Sequence, residues 1–397
     1  MEEWKTYRIG DICESVSDTY RRGSASVVLV NTSDVLDGVC LNHTRVQNKD
    51  LKGQFKKTFK KDDILYSEIR PANKRFAYID FDPIDYIAST KLMVIRSSDK
   101  VRPRYLYHFL KRQEMLDELQ ALAESRSGTF PQITFSELAL FEIKLPSLET
   151  QDRIVAAIDS FEYKIALNNR INHNLEEQAR SLYKSWFIDF EPFKDGKFVD
   201  SELGMIPEGW HIGTLSEIAD ITMGQSPSGS SFNEDGHGIV FYQGRTEFGF
   251  RFPSIKLFTT EPTRFAEPHS VLMSVRAPVG DINVALDRCC IGRGLAAITA
   301  KDEAFSFVLY TLKGKSSELD LYNGEGTVFG SINRKDLEGL SVLIPPMSII
   351  QQFNDCIRPI DESIEIACKE IVNLSFSRDS LLPRLMSGQL SFDECDC

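Results

Sequence analysis

The sequence has no C-x-x-C pair, no two histidines four residues apart and no G-x-x-x-x-G-K-[ST] phosphate loop. Its cysteines (Cys13, Cys40, Cys289, Cys290, Cys356, Cys368, Cys395 and Cys397) are spaced wrongly for a structural zinc site and are expected to be reduced thiols. The scattered histidines (His43, His108, His173, His211, His237 and His269) offer no helical metal pair, so no metal site is expected. Gly292-Arg-Gly294 and Gly324-Glu-Gly326 lack the G-x-G-x-x-G spacing of a dinucleotide loop. Long apolar runs are missing too: Ser26 to Val30 and Leu92 to Ile95 fall far short of the roughly 20 residues a membrane helix needs. Met1-Glu-Glu-Trp-Lys5 has neither the basic start nor the apolar core of a secretory signal, so a cytoplasmic location without membrane contact is expected.

Catalytic constellations for nucleic acid are equally thin. Asp82-Pro-Ile-Asp85 lacks the second proline and the aromatic of an adenine methyltransferase motif. Asp82, Asp85 and Lys91 have the wrong spacing for a nuclease metal site, and nothing comparable recurs later in the chain. No residue is assigned a catalytic role.

What is present begins with size. At 397 residues, 42% hydrophobic and 26% charged, the chain can bury two or three cores. Its net charge of −12 argues at first against nucleic acid. Between residues 45 and 75, however, Arg45, Lys49, Lys52, Lys56, Lys57, Lys60, Lys61, Arg70, Lys74 and Arg75 face only Asp50, Asp62, Asp63 and Glu68. That stretch reads either as a solvated loop or as an electrostatic footprint.

The chain repeats one plan at an offset near two hundred residues. Trp4-Lys-Thr-Tyr-Arg-Ile-Gly-Asp-Ile12 is answered by Trp210-His-Ile-Gly-Thr-Leu-Ser-Glu-Ile218. Gly128-Thr-Phe-Pro-Gln-Ile133 is answered by Gly326-Thr-Val-Phe-Gly-Ser-Ile332, and Phe141-Glu-Ile-Lys-Leu-Pro146 by Leu340-Ser-Val-Leu-Ile-Pro345. After each proline a long helical pattern starts, entered through Ser147 or Thr150 in the first copy and Ser348 in the second.

Apolar residues in both helices follow 3-4 heptad spacing. The first seam runs through Ile154, Ile158, Phe161, Ile165, Leu175 and Leu182; the second through Ile350, Phe353, Ile357, Ile360, Ile364, Ile371, Leu374 and Leu381. Antiparallel pairing of the two is the simplest packing. Asn168 and Asn172 interrupt the first seam, as surface amides or as buried ones that fix register, and Pro359 predicts a kink near Cys356. Between the helices, short alternating runs such as Asp63-Ile-Leu-Tyr66 and Val271-Leu-Met-Ser-Val275 predict strands, with one helix per globular part near Tyr105 to Glu124 and Ala304 to Lys313.

These pieces, duplicated and in this order, resemble the DNA specificity subunits of type I restriction-modification systems. The resemblance rests on the paired motifs above together with Leu145-Pro-Ser-Leu-Glu-Thr-Gln-Asp-Arg-Ile154, Ser181-Leu-Tyr-Lys-Ser-Trp-Phe-Ile-Asp-Phe190 and Leu203-Gly-Met-Ile-Pro-Glu-Gly-Trp210. Ser274-Val-Arg-Ala-Pro-Val-Gly280, Ile344-Pro-Pro346 with Gln351, and Leu381-Leu-Pro-Arg-Leu-Met-Ser-Gly-Gln-Leu390 add to it. Thr150 and Ile350 stand where a glutamate is common in that family.

The resemblance implies an α+β fold: two β-rich target-recognition domains separated by two long antiparallel coiled-coil helices, related by pseudo-twofold symmetry. The expected boundaries are a first recognition domain at 1–146, a central helix at 147–190, a linker at 191–207, a second recognition domain at 208–345, a C-terminal helix at 346–391 and a tail at 392–397.

Function follows as an expectation: a non-catalytic subunit whose domains each read half of a bipartite double-stranded DNA target while the helices fix the spacing. Two methyltransferase subunits and restriction or translocase subunits are the implied partners. S-adenosylmethionine and ATP would sit on those partners, with no cofactor on this chain. Candidate DNA contacts are Lys56, Lys57, Lys60, Arg70, Lys74, Arg126 and Gln132 in the first domain, and Gln243, Arg245, Arg251, Arg276 and Arg293 in the second. A stand-alone DNA-binding regulator or a coiled-coil scaffold are the competing readings.

Overall fold

The computed structural model describes residues 4–21, 23–49, 53–126, 130–324 and 330–390. Lys52, Cys395, Cys397 and parts of the Gly128–Ile133 and Gly326–Ile332 motifs lie outside the described residues. The chain forms two compact units, one reaching Tyr163 and resuming at Leu374, the other spanning Lys164–Asn373.

In the first unit, Lys5–Arg8 pairs antiparallel with Glu142–Leu145, so a two-stranded clasp closes the globular part at its base. Above it lies an antiparallel sheet in the order Cys13–Val16, Leu92–Ser97, Ile64–Ser67, Phe76–Tyr78. A second sheet runs Arg45–Gln47, Ser26–Val30, Tyr86–Ser89, Phe55–Lys57, with its two middle strands parallel. The β-branched residues Val27, Val28, Val30, Ile64 and Val94 are all buried on these strands, where their stiff side chains pack well. The helical stretch expected near Tyr105 to Glu124 is broken in two, α1 (Pro103–Leu110) and α2 (Gln113–Arg126). Lys111 closes α1 with its N–H on the Tyr107 carbonyl, while its ammonium pairs with Glu162.

The second unit repeats this plan, with one extra strand in its second sheet. His211–Thr214 clasps Ser341–Ile344. One sheet runs Ala219–Met223, Leu295–Ala300, Val271–Ser274, Ile282–Val284, and the other Phe232–Asn233, Leu257–Thr259, Ile239–Tyr242, Cys289–Ile291, Phe265–Ala266. Again the single parallel pairing, Ile239–Tyr242 with Cys289–Ile291, sits inside the second sheet.

Two 40-residue helices follow the two clasps, α3 (Leu148–Phe187) and, after a shorter α4 (Phe305–Gly314), α5 (Met347–Met386). Ser147 Oγ accepts the Thr150 N–H at 3.2 Å and so caps the start of α3. In the first unit Ile154 and Ile158 share a core with Leu382 and Leu385. In the second, Ile350, Phe353 and Ile357 pack in one core with Phe187, with Leu182 and Ile360 against it. Ile364 is buried as well, whereas Phe161, Ile165, Leu175, Ile371, Leu374 and Leu381 are half-buried. Asn168 and Asn172 are buried, donating to Glu370 at 2.7 Å and to Cys368 Sγ at 3.4 Å. The partner's number falls as the donor's rises, so the helices run antiparallel within this unit. Pro359 is exposed inside an unbroken α5, and its carbonyl accepts the Ser363 hydroxyl at 2.7 Å.

The stretch between copies is ordered rather than a bare linker. Phe198–Ser201 and Gly204–Pro207 form a hairpin, and the buried Trp210 packs against Phe187, Phe190 and Phe193.

Candidate nucleic-acid interface

In the first unit the basic stretch includes the edge strand Phe55–Lys57, where Lys57 and Phe55 oppose the consecutive residues Ala88 and Ser89 and Lys56 is the extra residue of a bulge. Lys56 is exposed, but Lys57 turns under the sheet, where its ammonium donates to the carbonyls of Thr90 at 3.1 Å and Leu92 at 2.8 Å. Burial pulls the Lys57 ammonium below the ordinary lysine range. Lys60 is exposed and free to offer its charge; only its backbone is engaged, its N–H and carbonyl both bonded to Asp63.

Arg70 and Lys74 bracket the short turn Pro71–Asn73, and both adopt left-handed backbone, with φ of 45° and 52°. Gln132 is joined to this turn through a bridge to Ile69, and its side-chain oxygen accepts from Lys91 at 3.1 Å. Arg126 is already paired with Glu137 at 2.5 Å. Burial opposes ionisation of Glu137, but the Thr134 N–H and hydroxyl, with Arg126, hold its carboxyl below the usual range.

Arg251 requires a correction. It is 2% exposed and donates to Glu176 at 2.5 Å, Tyr310 at 2.9 Å and Asp361 at 2.8 Å, so it ties the second globular part to both long helices rather than reaching DNA. Arg245 pairs with Asp281 at the surface. Arg276, Arg293 and Gln243 are exposed. Backbone contacts bring these three together: the Val275 N–H bonds the Gly294 carbonyl at 2.9 Å, and a Cβ on Gly292 or Gly294 would meet the Gln243 carbonyl at 2.8 or 3.0 Å. Glycines here permit close strand approach, which accounts for the Gly-Arg-Gly run without a phosphate loop. Beside them a cleft of about 490 Å³ is lined by Arg245, Phe248, Asp281 and the buried Asn283, whose side-chain oxygen has no partner.

Sequence reasoning weighed Lys91 only beside Asp82 and Asp85 and missed its place in the repeat, where its backbone carbonyl accepts the Glu68 N–H at 3.0 Å as Gly294 accepts that of Val275. Only the strand register reveals that equivalence. Among the described residues, His108, Asp159 and Glu162 form one cluster able to offer metal ligands, but Arg104 and Lys111 already occupy its carboxylates. No helix of the described residues is long and apolar enough to cross a membrane.

Comparison with known proteins agrees with this duplicated architecture. The family model for the type I restriction modification DNA specificity domain matches residues 1–177 and 207–374. The type I restriction enzyme HindI specificity subunit of Haemophilus influenzae is 30% identical over 98% of this chain and 100% of its own length. A putative type I restriction enzyme MjaX specificity subunit of Methanocaldococcus jannaschii is 32% identical over 83% of this chain and 78% of its own. A solved type I restriction-modification S subunit from M. genitalium shares the fold, with a TM-score of 0.61 at 15% identity over 97% of this chain and 96% of that one.

Proposed function

The chain belongs to the family defined by the type I restriction-modification DNA specificity domain, and from that premise we propose that it is the DNA-reading, non-catalytic subunit of such a complex. Each globular part reads one half of a split double-stranded target. The observation that carries this reading is the repeated plan: two domains, each with a clasp and a four-stranded sheet of the same order, each followed by a 40-residue helix. At about 1.5 Å per residue such a helix extends roughly 60 Å, enough to hold two readers a turn or more of DNA apart. The seam residues of α3 and α5 form the coiled coil that sets this distance, and the intervening base pairs go unread.

Exposed Lys56, Lys60 and Arg293, with the half-buried Lys74, contact phosphates and set register, and Gln243 reaches a base edge. The net charge of −12 fits a subunit that grips DNA only within an assembly. Two methyltransferase subunits dock on it, carrying S-adenosylmethionine, and restriction or translocase subunits carry ATP; the assembly works in the cytoplasm.

Co-expression with the neighbouring methyltransferase in a methylation-free host, followed by genome-wide mapping of N6-methyladenine, tests the reading. One split motif is expected, and replacing residues 208–345 changes only one half. A continuous motif, or one indifferent to that replacement, removes the two-reader model in favour of a scaffold or regulator.

A further inference from the structure

The turn after Ile64–Ser67 and the turn after Val271–Ser274 are the same element in the two units. Ser67 stands opposite Leu92 and Ser274 opposite Leu295, which fixes the register of both. Beyond those serines the backbone bonds repeat. The Arg70 N–H reaches the Pro131 carbonyl at 3.1 Å, and the Ala277 N–H reaches that of Gly330 at 3.0 Å. Ile133 N–H bonds Glu68 at 2.9 Å, and Ile332 N–H bonds Val275 at 3.1 Å. A strand-like bridge completes each set, Ile69 with Gln132 and Arg276 with Ser331.

Each pinned turn presents one exposed arginine, Arg70 or Arg276, one register position apart. Other arginines of the two globular parts are neutralised: Arg96, Arg102, Arg104, Arg245, Arg251 and Arg288 all hold carboxylates. Arg70 and Arg276 have no side-chain partner among the described residues. A guanidinium left unpaired on a turn whose backbone is fixed at both ends is preorganised for an external anion. The sheets that carry the two turns share one strand order, whereas the neighbouring sheets differ: the edge strand Phe55–Lys57 of the first unit carries two lysines and its counterpart Phe265–Ala266 none. The bonded turn is kept in both units while the arginine moves by one position, and a contact that tolerates such a shift suits the phosphate backbone, which does not vary with sequence.

We propose that these matched turns are a common anchor, through which Arg70 in one unit and Arg276 in the other grip the phosphate backbone of their respective half-sites. This rests on the DNA-reading function above. As phosphate contacts they set the register of each domain and leave the recognised sequence unchanged.

The test uses the assembled complex with its methyltransferase and a duplex carrying the methylated motif, titrated between about 50 and 200 mM salt. Arg70→Ala and Arg276→Ala are each expected to weaken binding about five- to tenfold and to lower the slope of log affinity against log salt by about 0.9. Arg70→Lys and Arg276→Lys keep the slope, because a phosphate contact needs the charge and not the planar fork. The methylated motif stays the same in all four, and unchanged melting temperatures show that folding is intact. Wild-type slopes in both alanine variants overturn the anchor, and so does a motif relaxed at one base pair, which makes the arginine a base reader. A wild-type complex that binds no duplex takes the DNA-reading function down, and the anchor with it.

Discussion

Arg251 donates to Glu176 at 2.5 Å in the interior of the second unit, joining a loop of the globular part to the middle of α3. Asp361 on α5 holds the other arm of the guanidinium at 2.8 Å, and Lys313 on α4 reaches Glu176 at 2.5 Å. Buried charges are tolerated here because each faces a group of opposite charge, although the Arg251 Nε–H itself has no acceptor among the described residues. Removing one leaves the rest unpaired in a medium that solvates them poorly.

Arg251→Met therefore costs about 3–5 kcal/mol of stability, the usual penalty for breaking a buried pair by truncating one partner. Denaturant unfolding of the purified chain measures it. A quadruple change that also makes Glu176, Asp361 and Lys313 apolar, so that no buried charge is left unpaired, recovers much of the loss, which a surface contact could not do. A loss below about 1 kcal/mol in the single variant contradicts the buried network, since that is the scale of an exposed pair.

The same cluster predicts acid sensitivity. Burial works against the Glu176 carboxylate, but Lys313 and Arg251 outweigh it and bring its pKa from 4.5 down to about 2. The folded state then binds fewer protons than the unfolded state between those values. The stability Glu176 contributes is fully present above about 4.5 and is lost as pH falls toward 2. Thermal melts from neutral pH downward should show a decline that flattens in Glu176→Gln; identical profiles for the two proteins would remove Glu176 from the acid response.

Much of this framework is legible in sequence, and the reason is periodicity. The 3-4 seams locate both long helices because an apolar stripe sustained at that spacing over ten turns arises neither from the two-residue alternation of strands nor from loops. Clasp strands are legible too, since the Trp4 and Trp210 starts and the two proline exits recur in order. The candidate interface is far less so. Arg251 and Arg276 look alike as sequence, each an arginine beside a turn. What separates them is whether a carboxylate 75 residues away arrives at the guanidinium, and no local pattern encodes that. The match between the Arg70 and Arg276 turns hides for a related reason: the arginine shifts by one position, and only hydrogen-bond register aligns the two.

Asn168 and Asn172 sit at 2% and 0% exposure among apolar seam residues, and the side-chain oxygen of Asn172 has no partner. Replacing both with leucine removes buried amides and is expected to raise stability by about 1–3 kcal/mol, in line with apolar replacement of buried polar groups. The same change removes the donors to Glu370 and Cys368 that distinguish one helix register from its neighbours. Methylation mapping with the double variant should then show the split motif with more than one gap length. A single unchanged gap would show that apolar packing alone sets the register.

Lys56 and Lys57 give the sharpest separation between a DNA contact and a structural cation, because the bulge residue Lys56 is exposed while the Lys57 ammonium is held by two backbone carbonyls. Lys57→Ala deletes two hydrogen bonds to the carbonyls of Thr90 and Leu92, so it should destabilise the protein by about 1–3 kcal/mol, the range for charged donors. Lys56→Ala touches nothing internal and should leave the melting temperature within error. In the assembled complex the order reverses: Lys56→Ala lowers the salt dependence of DNA binding by about one phosphate's worth, whereas Lys57→Ala leaves that slope alone once folding is accounted for. Measured together, melting and salt titration form a two-by-two comparison in which a solvated edge strand with no DNA role predicts no slope change for either lysine. A slope change for Lys57 alone would mean that the buried ammonium leaves its carbonyls on binding, at a cost its hydrogen bonds make measurable.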